Sequence, residues 1–330
     1  MKQRLERYFE FERLGTNWKT ELLAGVTTFV TMAYIIFVNP SILAETGMPF
    51  NAVLAATCIS AAIGSMLMGA WARYPIALAP GMGLNAYFTY SVVKGMGVAW
   101  PVALGAVFLS GIAFVVLTAT GIRRMIVSAI PAELYGAVAA GIGLFIAFIG
   151  LRNAGIIVTN PATAVGLGDL TAAPTLLALF GLLLTSALLV RGYPAAMLAG
   201  ILGTMVAGLL AGQVQWKPMP FAFDSIRLTA FQLDVRGALA LGAVEIIFVF
   251  LFVDLFDNIG TLVGVGKKAG LFDSANKIPR VNRILFTDAT ATIAGSLAGT
   301  STVVSYIESA AGVVAGGRYG VTAVVTGLLF

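Results

Sequence analysis

The chain has 330 residues, of which 59% are hydrophobic and 11% are charged, and its formal net charge is +5. Soluble domains carry about a quarter charged residues, so the few polar residues of this chain could not cover a soluble globule of this size. The basic residues lie in short clusters between long apolar runs and not in one stripe, which excludes nucleic acid as their partner and favours membrane lipid.

The composition also limits the chemistry that the chain can perform. It contains no histidine, and its single cysteine, Cys58, lies in an apolar run. These facts exclude a disulfide framework, a thiolate metal site and the commonest general base. We therefore expect no metal and no cofactor, and with no Ser–Lys arrangement apparent we find no catalytic set.

Long apolar runs predict ten or eleven membrane-spanning helices, since about 20 apolar residues cross the hydrocarbon core. The charged N-terminus precedes a run too long for a signal peptide, which we interpret as a retained first helix. The predicted spans are 21–44, 51–72, 75–93, 100–121, 132–151, 174–191, 193–213, 237–266, 283–299 and 300–315, with an eleventh from Tyr319.

Loop charge predicts the orientation of these spans. With a cytoplasmic N-terminus, fifteen of the 20 Lys and Arg residues fall on the cytoplasmic side, which agrees with the positive-inside rule. The loops at 121–131 and 267–283 carry much of this charge. The sequence ends at Phe330 within an apolar run, and we expect it to be a piece of a longer protein.

Two spans do not have the pattern of ordinary helices. In the first, Pro75–Phe88, Pro80 and several glycines disfavour helix, so the helix is predicted to begin after them. In the second, Gly299–Ala310, hydroxyl and β-branched residues favour extended chain. A helix is predicted from near Ser305, whose hydroxyl could cap it.

These two segments indicate an internal repeat. Asn85 and Glu308 hold similar positions, and their offset of 223 residues also maps the first two spans onto those at 237–266 and 283–299. Seven spans separate the copies, so the second copy is inverted. Inverted repeats with broken helices at matching positions indicate a transporter binding site.

Three acids within apolar spans are candidate functional residues: Asp254, Asp257 and Glu308. A bare carboxylate in hydrocarbon is costly, so each is expected to be protonated or bound to a donor, and such acids are functional by default. The alternative is that they only bind other helices. Asp288 is close to the basic loop, and we expect it to be a solvated or paired residue at a helix end.

Three motifs together resemble the AzgA-like purine permeases of the nucleobase–cation symporter-2 superfamily. They are Ala79-Pro-Gly-Met-Gly-Leu-Asn-Ala-Tyr-Phe88, Val253-Asp-Leu-Phe-Asp-Asn-Ile-Gly-Thr261 and Thr300-Ser-Thr-Val-Val-Ser-Tyr-Ile-Glu-Ser-Ala-Ala-Gly312. The N-terminal stretch from Phe11 to Ile35 also matches. The resemblance covers essentially the whole chain.

The resemblance implies an all-α polytopic fold of fourteen helices, arranged as seven plus an inverted seven, with short extended strands in helices 3 and 10. It divides this chain into a cytoplasmic segment (1–20), core helices 1–4 (21–121), gate helices 5–7 (122–236) and core helices 8–11 (237–330). The last three gate helices would be absent. A homodimer is a further implied possibility.

The resemblance also implies residue roles. Asp254 and Glu308 would bind the purine ring, Asn85 would govern binding, and Asp257 would support it. An aromatic side chain of helix one or eight could stack on the purine. We otherwise interpret aromatic residues such as Tyr34 and Tyr306 as packing or interface anchors. The predicted substrate-binding residues are Gly83, Asn85, Asp254, Thr302, Ser305 and Glu308; those for proton coupling are Asp254, Asp257 and Glu308.

The predicted function is a multi-pass permease of the cell (inner or plasma) membrane. It would import adenine, guanine or hypoxanthine by proton symport, through an elevator-like alternating-access mechanism. The first alternative is the same fold carrying uracil, xanthine or another small solute, although two carboxylates argue against an inorganic anion. An intramembrane enzyme and a channel are less favoured, because no catalytic set is apparent and broken helices favour alternating access over a channel.

Overall fold

The computed structural model describes residues 15–122, 132–215, 223–240, 244–271 and 278–330, together with residues 6, 8, 9, 11 and 125. Helices dominate these ranges, and two short antiparallel strand pairs accompany them.

The elements follow one another in three groups. The first contains α1 (Trp18–Met32), α2 (Ile35–Ala44), α3 (Phe50–Leu67), β1 (Leu78–Pro80), α4 (Met82–Ala86) and α5 (Trp100–Ala119). Helices α3 and α4 continue as the π-helices Met68–Ala72 and Tyr87–Gly95. The second contains α6 (Ala132–Asn153), β2 (Ile157–Asn160), β3 (Ala164–Leu167), α7 (Ala173–Val190) and α8 (Ala196–Leu210).

The third group begins with a 3-10 turn (Phe223–Leu228) and α9 (Val235–Ala240). It continues with α10 (Val244–Ala269), α11 (Val281–Ala298), β4 (Val303–Ser305), α12 (Ser309–Val314) and α13 (Gly320–Leu329).

The predicted spans agree with these helices to within a few residues at most ends. Within the described ranges, six helical stretches are long and apolar enough to cross a membrane. These stretches are Trp18–Ala44, Phe50–Ala72, Trp100–Ala119, Gly136–Asn153, Ala173–Val190 and Val244–Gly266. The prediction of a polytopic helical membrane protein is therefore confirmed.

Two features of the fold were not predicted. The first span is interrupted, because α1 ends at Met32 and α2 begins only at Ile35. The loop after α6 forms a hairpin in which Ile157 pairs with Leu167 and Asn160 with Ala164. The hairpin strands are mostly exposed and lie outside the helical bundle.

The first and the last helices of the chain pack against each other in the bundle. Helix α13 packs against α1 and α3, and α11 packs between α3 and α5. The buried carboxylate of Glu21 accepts hydrogen bonds from the backbone nitrogens of Arg318 (2.9 Å) and Thr322 (3.2 Å) and from the Thr322 hydroxyl (2.6 Å). Because helix N-termini favour negative charge, Glu21 fixes the start of α13 against α1.

Helices α6 to α8 are joined to this bundle more loosely. Helix α7 packs mainly on α8, and both expose long apolar faces. At its C-terminal end α6 is tied to the bundle by polar side chains: Asn153 donates to the Tyr90 hydroxyl (3.0 Å), which donates to Glu45 (2.7 Å). Glu45 also forms an ion pair with Lys94.

Candidate functional site

Two extended segments cross inside the bundle and form the frame of the site. Strands β1 and β4 pair antiparallel, with Leu78 opposite Ser305 and Pro80 opposite Val303. The pairing extends on both sides, because Gly81 N donates to Thr302 O and Tyr306 N donates to Ala77 O, both at 2.9 Å. The prediction of short strands within helices 3 and 10 is confirmed.

Hydroxyl groups of neighbouring helices satisfy the outer edges of this strand pair. On the β1 side, Ser65 of α3 bonds both the N–H and the C=O of Leu78, at 2.9 and 3.0 Å. On the β4 side, Thr292 of α11 donates to Val303 O at 3.0 Å. Each strand is thus supported by a hydroxyl on the helix that precedes it.

A short helix follows each strand, so two helix N-termini point toward the crossing. Helix α4 starts after Gly81, and α12 starts after Glu308. The N–H groups of a first helical turn have no partner within the helix and carry partial positive charge. The first N–H groups of α12 already bond to the carbonyls of Tyr306, Ile307 and Glu308, so the start of α4 is the source of backbone donors for an electron-rich ligand atom.

A cavity of about 800 Å³ lies beside the crossing. Its walls are mostly apolar, and its polar groups come from three elements: the α1–α2 break, α10 and the β4–α12 connection. Helix α6 forms the opposite wall. The polar lining residues are Tyr34, Asp257, Thr261, Ser305, Tyr306 and Glu308.

Two carboxyl groups face this cavity. The Tyr34 hydroxyl donates to Glu308 Oε1 at 2.7 Å, and Tyr306 donates its hydroxyl to Pro80 O. Asp257 lies against the start of α4, since a Cβ placed on Gly81 would be 3.7 Å from Asp257 Oδ2. Asp257 is also within electrostatic reach of Glu308. The cavity can therefore offer two hydrogen-bond acceptors on neighbouring walls.

The predicted residue Gly83 lines the cavity at a point of close approach. A Cβ on Gly83 would lie 2.6 Å from Ile142 Cγ2 of α6. A larger residue would have to displace α6 or its side chain. Ser305 and Glu308 also line the cavity, so the structure brings these three predicted residues together.

Asn85 lies behind the cavity wall, in a buried polar network. Its amide nitrogen donates to Asn39 Oδ1 at 2.6 Å, and its amide oxygen accepts from Ser301. Asn39 donates in turn to Thr57 (2.6 Å) and Thr300 (2.9 Å). The network joins α2, α3 and α4 to the segment before β4, so Asn85 holds the two crossing segments together.

Asp254 and Thr302 are fully buried and are not part of the cavity lining. Asp257, three residues further along α10, faces the cavity in place of Asp254. The polar atoms of Asn258 and the hydroxyl of Thr302 have no hydrogen-bond partner among the residues that the structure describes. These side chains lie beside the site without reaching the cavity surface.

Two predictions from the sequence are wrong. Asp288 does not lie at a helix end, and of its two predicted states, solvated or paired, the solvated one is wrong: it is completely buried in α11, within electrostatic reach of Asp257. Ser305 does not cap a helix, because it belongs to β4 and the helix begins at Ser309. The Ser309 hydroxyl instead accepts from Ala77 N at 3.0 Å.

Sequence patterns alone miss part of the lining. Tyr34 and Tyr306, interpreted above as packing or interface anchors, both line the cavity. The position of Tyr306 inside the broken segment is a signal that could have identified it. The wall from α6 includes Gly136, Val138, Ile142, Gly143 and Ile146, and no motif in that span indicates a site.

The fold and the site together define a class of membrane transporter. Two helices that begin at crossed extended segments, beside buried acids, are the arrangement in which secondary transporters bind their ligand. The transmembrane domain of BicA, a cyanobacterial bicarbonate transporter, has the same fold, with a TM-score of 0.67 at 16% identity over 95% of this chain and 81% of that one.

The chain belongs to the Permease family, whose model matches residues 19–330. It is 55% identical to a putative permease of Methanocaldococcus jannaschii, over 99% of this chain and 75% of that protein. It is 45% identical to the adenine permease AdeP of Escherichia coli (99% and 73%) and 46% identical to the guanine/hypoxanthine permease PbuG of Bacillus subtilis (99% and 77%). The predicted family and the prediction of a transporter instead of an enzyme are confirmed.

The position of the two α10 carboxylates can be tested by thiol labelling. In a Cys58→Ala background, we expect Asp257→Cys to react with a small maleimide in the folded protein in detergent. Asp254→Cys should react at least about tenfold more slowly, because a side chain without solvent contact is shielded. Mass spectrometry of the labelled protein measures both rates.

Denatured samples of each variant provide the control for intrinsic reactivity, and gel filtration shows that both variants remain folded. Equal labelling rates in the folded state would contradict the placement of Asp254 outside the cavity.

Proposed function

We propose that this permease carries purine nucleobases, namely adenine, guanine or hypoxanthine. The single observation that carries the proposal is the cavity at the strand crossing, where Glu308 and Asp257 face apolar walls. Its volume of about 800 Å³ lies within the usual range for small-molecule pockets. The names of its relatives support the same substrate class.

The chemistry of a purine matches the groups that line the cavity. Ring N–H groups are donors for the carboxylates, and ring nitrogens are acceptors for hydroxyl and backbone N–H groups. Ser305 and the first turn of α4 supply such donors. The ring of Phe256, which also lines the cavity, provides a flat apolar surface on which a purine can stack.

We assign the predicted binding residues to two layers. Glu308, Gly83 and Ser305 contact the ligand from the cavity surface. Asn85, Asp254 and Thr302 lie behind that surface and hold the contacting groups in place. In this assignment Asp257 takes the ligand-facing role on α10 that the family resemblance implies for Asp254.

An uptake assay in proteoliposomes tests the substrate class. We expect uptake of at least one radiolabelled purine among adenine, guanine and hypoxanthine, with uracil competing at least about tenfold more weakly because it lacks the second ring. Empty liposomes are the control. Uptake of uracil or bicarbonate with no uptake of any purine would overturn the proposal.

We further propose that transport is coupled to protons through Glu308, with Asp254 and Asp257 as partners. A bare carboxylate inside the membrane is strongly disfavoured, so protonation or a ligand donor must neutralise it. When a purine N–H satisfies the Glu308 carboxylate, a proton can neutralise one of its two partners. Proton and purine binding then favour each other, and this linkage is what a symporter requires.

Glu308→Gln tests this coupling. Glutamine keeps the size of the side chain and loses the titratable proton, so purine exchange should persist while accumulation driven by a pH gradient is lost. The measurement compares counterflow with gradient-driven uptake in proteoliposomes. Glu245→Gln is the matched control, because Glu245 is exposed in the first turn of α10 and should keep both activities.

Accumulation by Glu308→Gln with the pH dependence of the unchanged protein would show that Glu308 does not couple transport. Loss of exchange as well would assign Glu308 to binding alone.

We also propose that the N-terminus and the predicted loops at 121–131 and 267–283 are cytoplasmic, in a cell (inner or plasma) membrane. Much of the supporting charge, including Arg123, Arg124 and Lys277, lies outside the described residues, as does Lys217 in the opposite loop. In this orientation the Glu45–Lys94 ion pair faces outward and α6 begins on the cytoplasmic side.

Impermeant thiol labelling of intact cells tests the orientation in the Cys58→Ala background. Lys217→Cys should react from outside, and Lys277→Cys should react only after the cells are opened. The reverse pattern would overturn the orientation.

A further inference from the structure

The break between α1 and α2 places one side chain directly on the central carboxylate. Tyr34 lies at this break, its side chain is 7% exposed, and its hydroxyl donates to Glu308 Oε1 at 2.7 Å. The two residues are 274 positions apart in the sequence.

The hydrogen bond from Tyr34 uses part of the acceptor capacity of Glu308 and leaves another part for a ligand. A carboxylate has two acceptor oxygens, and the phenol uses Oε1. The carboxylate also accepts a hydrogen bond from its own backbone N–H. Glu308 lines the cavity, so the acceptor sites that these two bonds leave on its oxygens can meet a donor on the ligand. A carboxylate held at one oxygen also loses rotational freedom before the ligand arrives, which lowers the cost of binding.

We propose that Tyr34 is a positioning residue for the ligand: it fixes the Glu308 carboxylate so that its remaining acceptor sites face a ring N–H of the purine. The inference rests on the proposed function for the identity of the ligand. The inference adds Tyr34, a residue of the first span, to the site. Its hydroxyl bonds to the Glu308 carboxylate and does not need to contact the purine.

A second tyrosine in the same cavity provides a matched control. Tyr306 is similarly buried, at 5% exposure, and also donates one hydrogen bond. Its acceptor is the carbonyl of Pro80, not Glu308. Tyr34→Phe and Tyr306→Phe therefore each remove one buried hydroxyl from the lining, but only the first removes a hydrogen bond to Glu308.

The test is a double-mutant cycle that combines each tyrosine variant with Glu308→Gln. The affinity for the purine is measured for every variant in a scintillation-proximity assay. We expect Tyr34→Phe to weaken binding about tenfold, the scale of one hydrogen bond to a charged group, and to raise KM with little change in maximal rate. In the Glu308→Gln background Tyr34→Phe should have a smaller effect, because an amide oxygen is a weaker acceptor than a carboxylate. Tyr306→Phe should couple less strongly to Glu308→Gln, because its hydroxyl bonds to Pro80 and is only within electrostatic reach of Glu308.

Unchanged affinity in Tyr34→Phe, or an equal loss in both backgrounds, would overturn the inference.

If the unchanged protein binds no purine, the proposed function fails, and a second measurement still decides the role of Tyr34. Carbodiimide labelling of Glu308, read by peptide mass spectrometry, needs no ligand. Tyr34→Phe should accelerate it severalfold because Oε1 is no longer occupied, whereas Tyr306→Phe should not; equal rates in Tyr34→Phe and the unchanged protein would overturn the inference.

Discussion

The site depends on one constraint, which is that backbone N–H and C=O groups inside a membrane must find partners within the protein. The chain leaves the helical conformation at Leu78–Pro80 and again at Val303–Ser305, and each departure would be costly alone. Pairing the two strands with each other, with Ser65 and Thr292 at their outer edges, satisfies these groups. The start of α4 and of α12 beside the cavity is a direct result of that pairing.

A second layer of polar contacts fixes the frame. The Asn39–Asn85 pair bridges α2 and α4 and extends to Thr300 and Ser301 in the other half of the chain. These groups are fully buried, so removing one would leave its partner unsatisfied, which typically costs about 1–3 kcal/mol. In this network Asn85 uses its amide both as a donor and as an acceptor, although its side chain does not reach the cavity.

Much of the fold could be predicted because its signals are local and strong. Apolar runs indicate the spans, and Pro80 with the hydroxyl-rich segment from Thr300 indicates the two strands. Other features depend on tertiary contacts. Asp254 and Asp257 are three residues apart on one helix face, and only the packing of α10 decides which of them meets the cavity. The burial of Asp288 follows from α11 lying between α3 and α5, and residues 33–34 contain no helix-breaking residue that would have indicated the interruption at Tyr34.

The strand crossing also has a consequence for biogenesis. Tyr306 and Pro80 are joined across 226 positions, so this contact has a very high sequence separation. During synthesis β1 is inserted long before its partner exists, and its polar groups must rely on temporary partners such as water or the translocation machinery. Because distant pairings form late, the first half of the site is the region most exposed to misassembly until β4 arrives. The chaperones and proteases of the cell would therefore act on a chain in which β1 is still unpaired and the ligand site is not yet assembled.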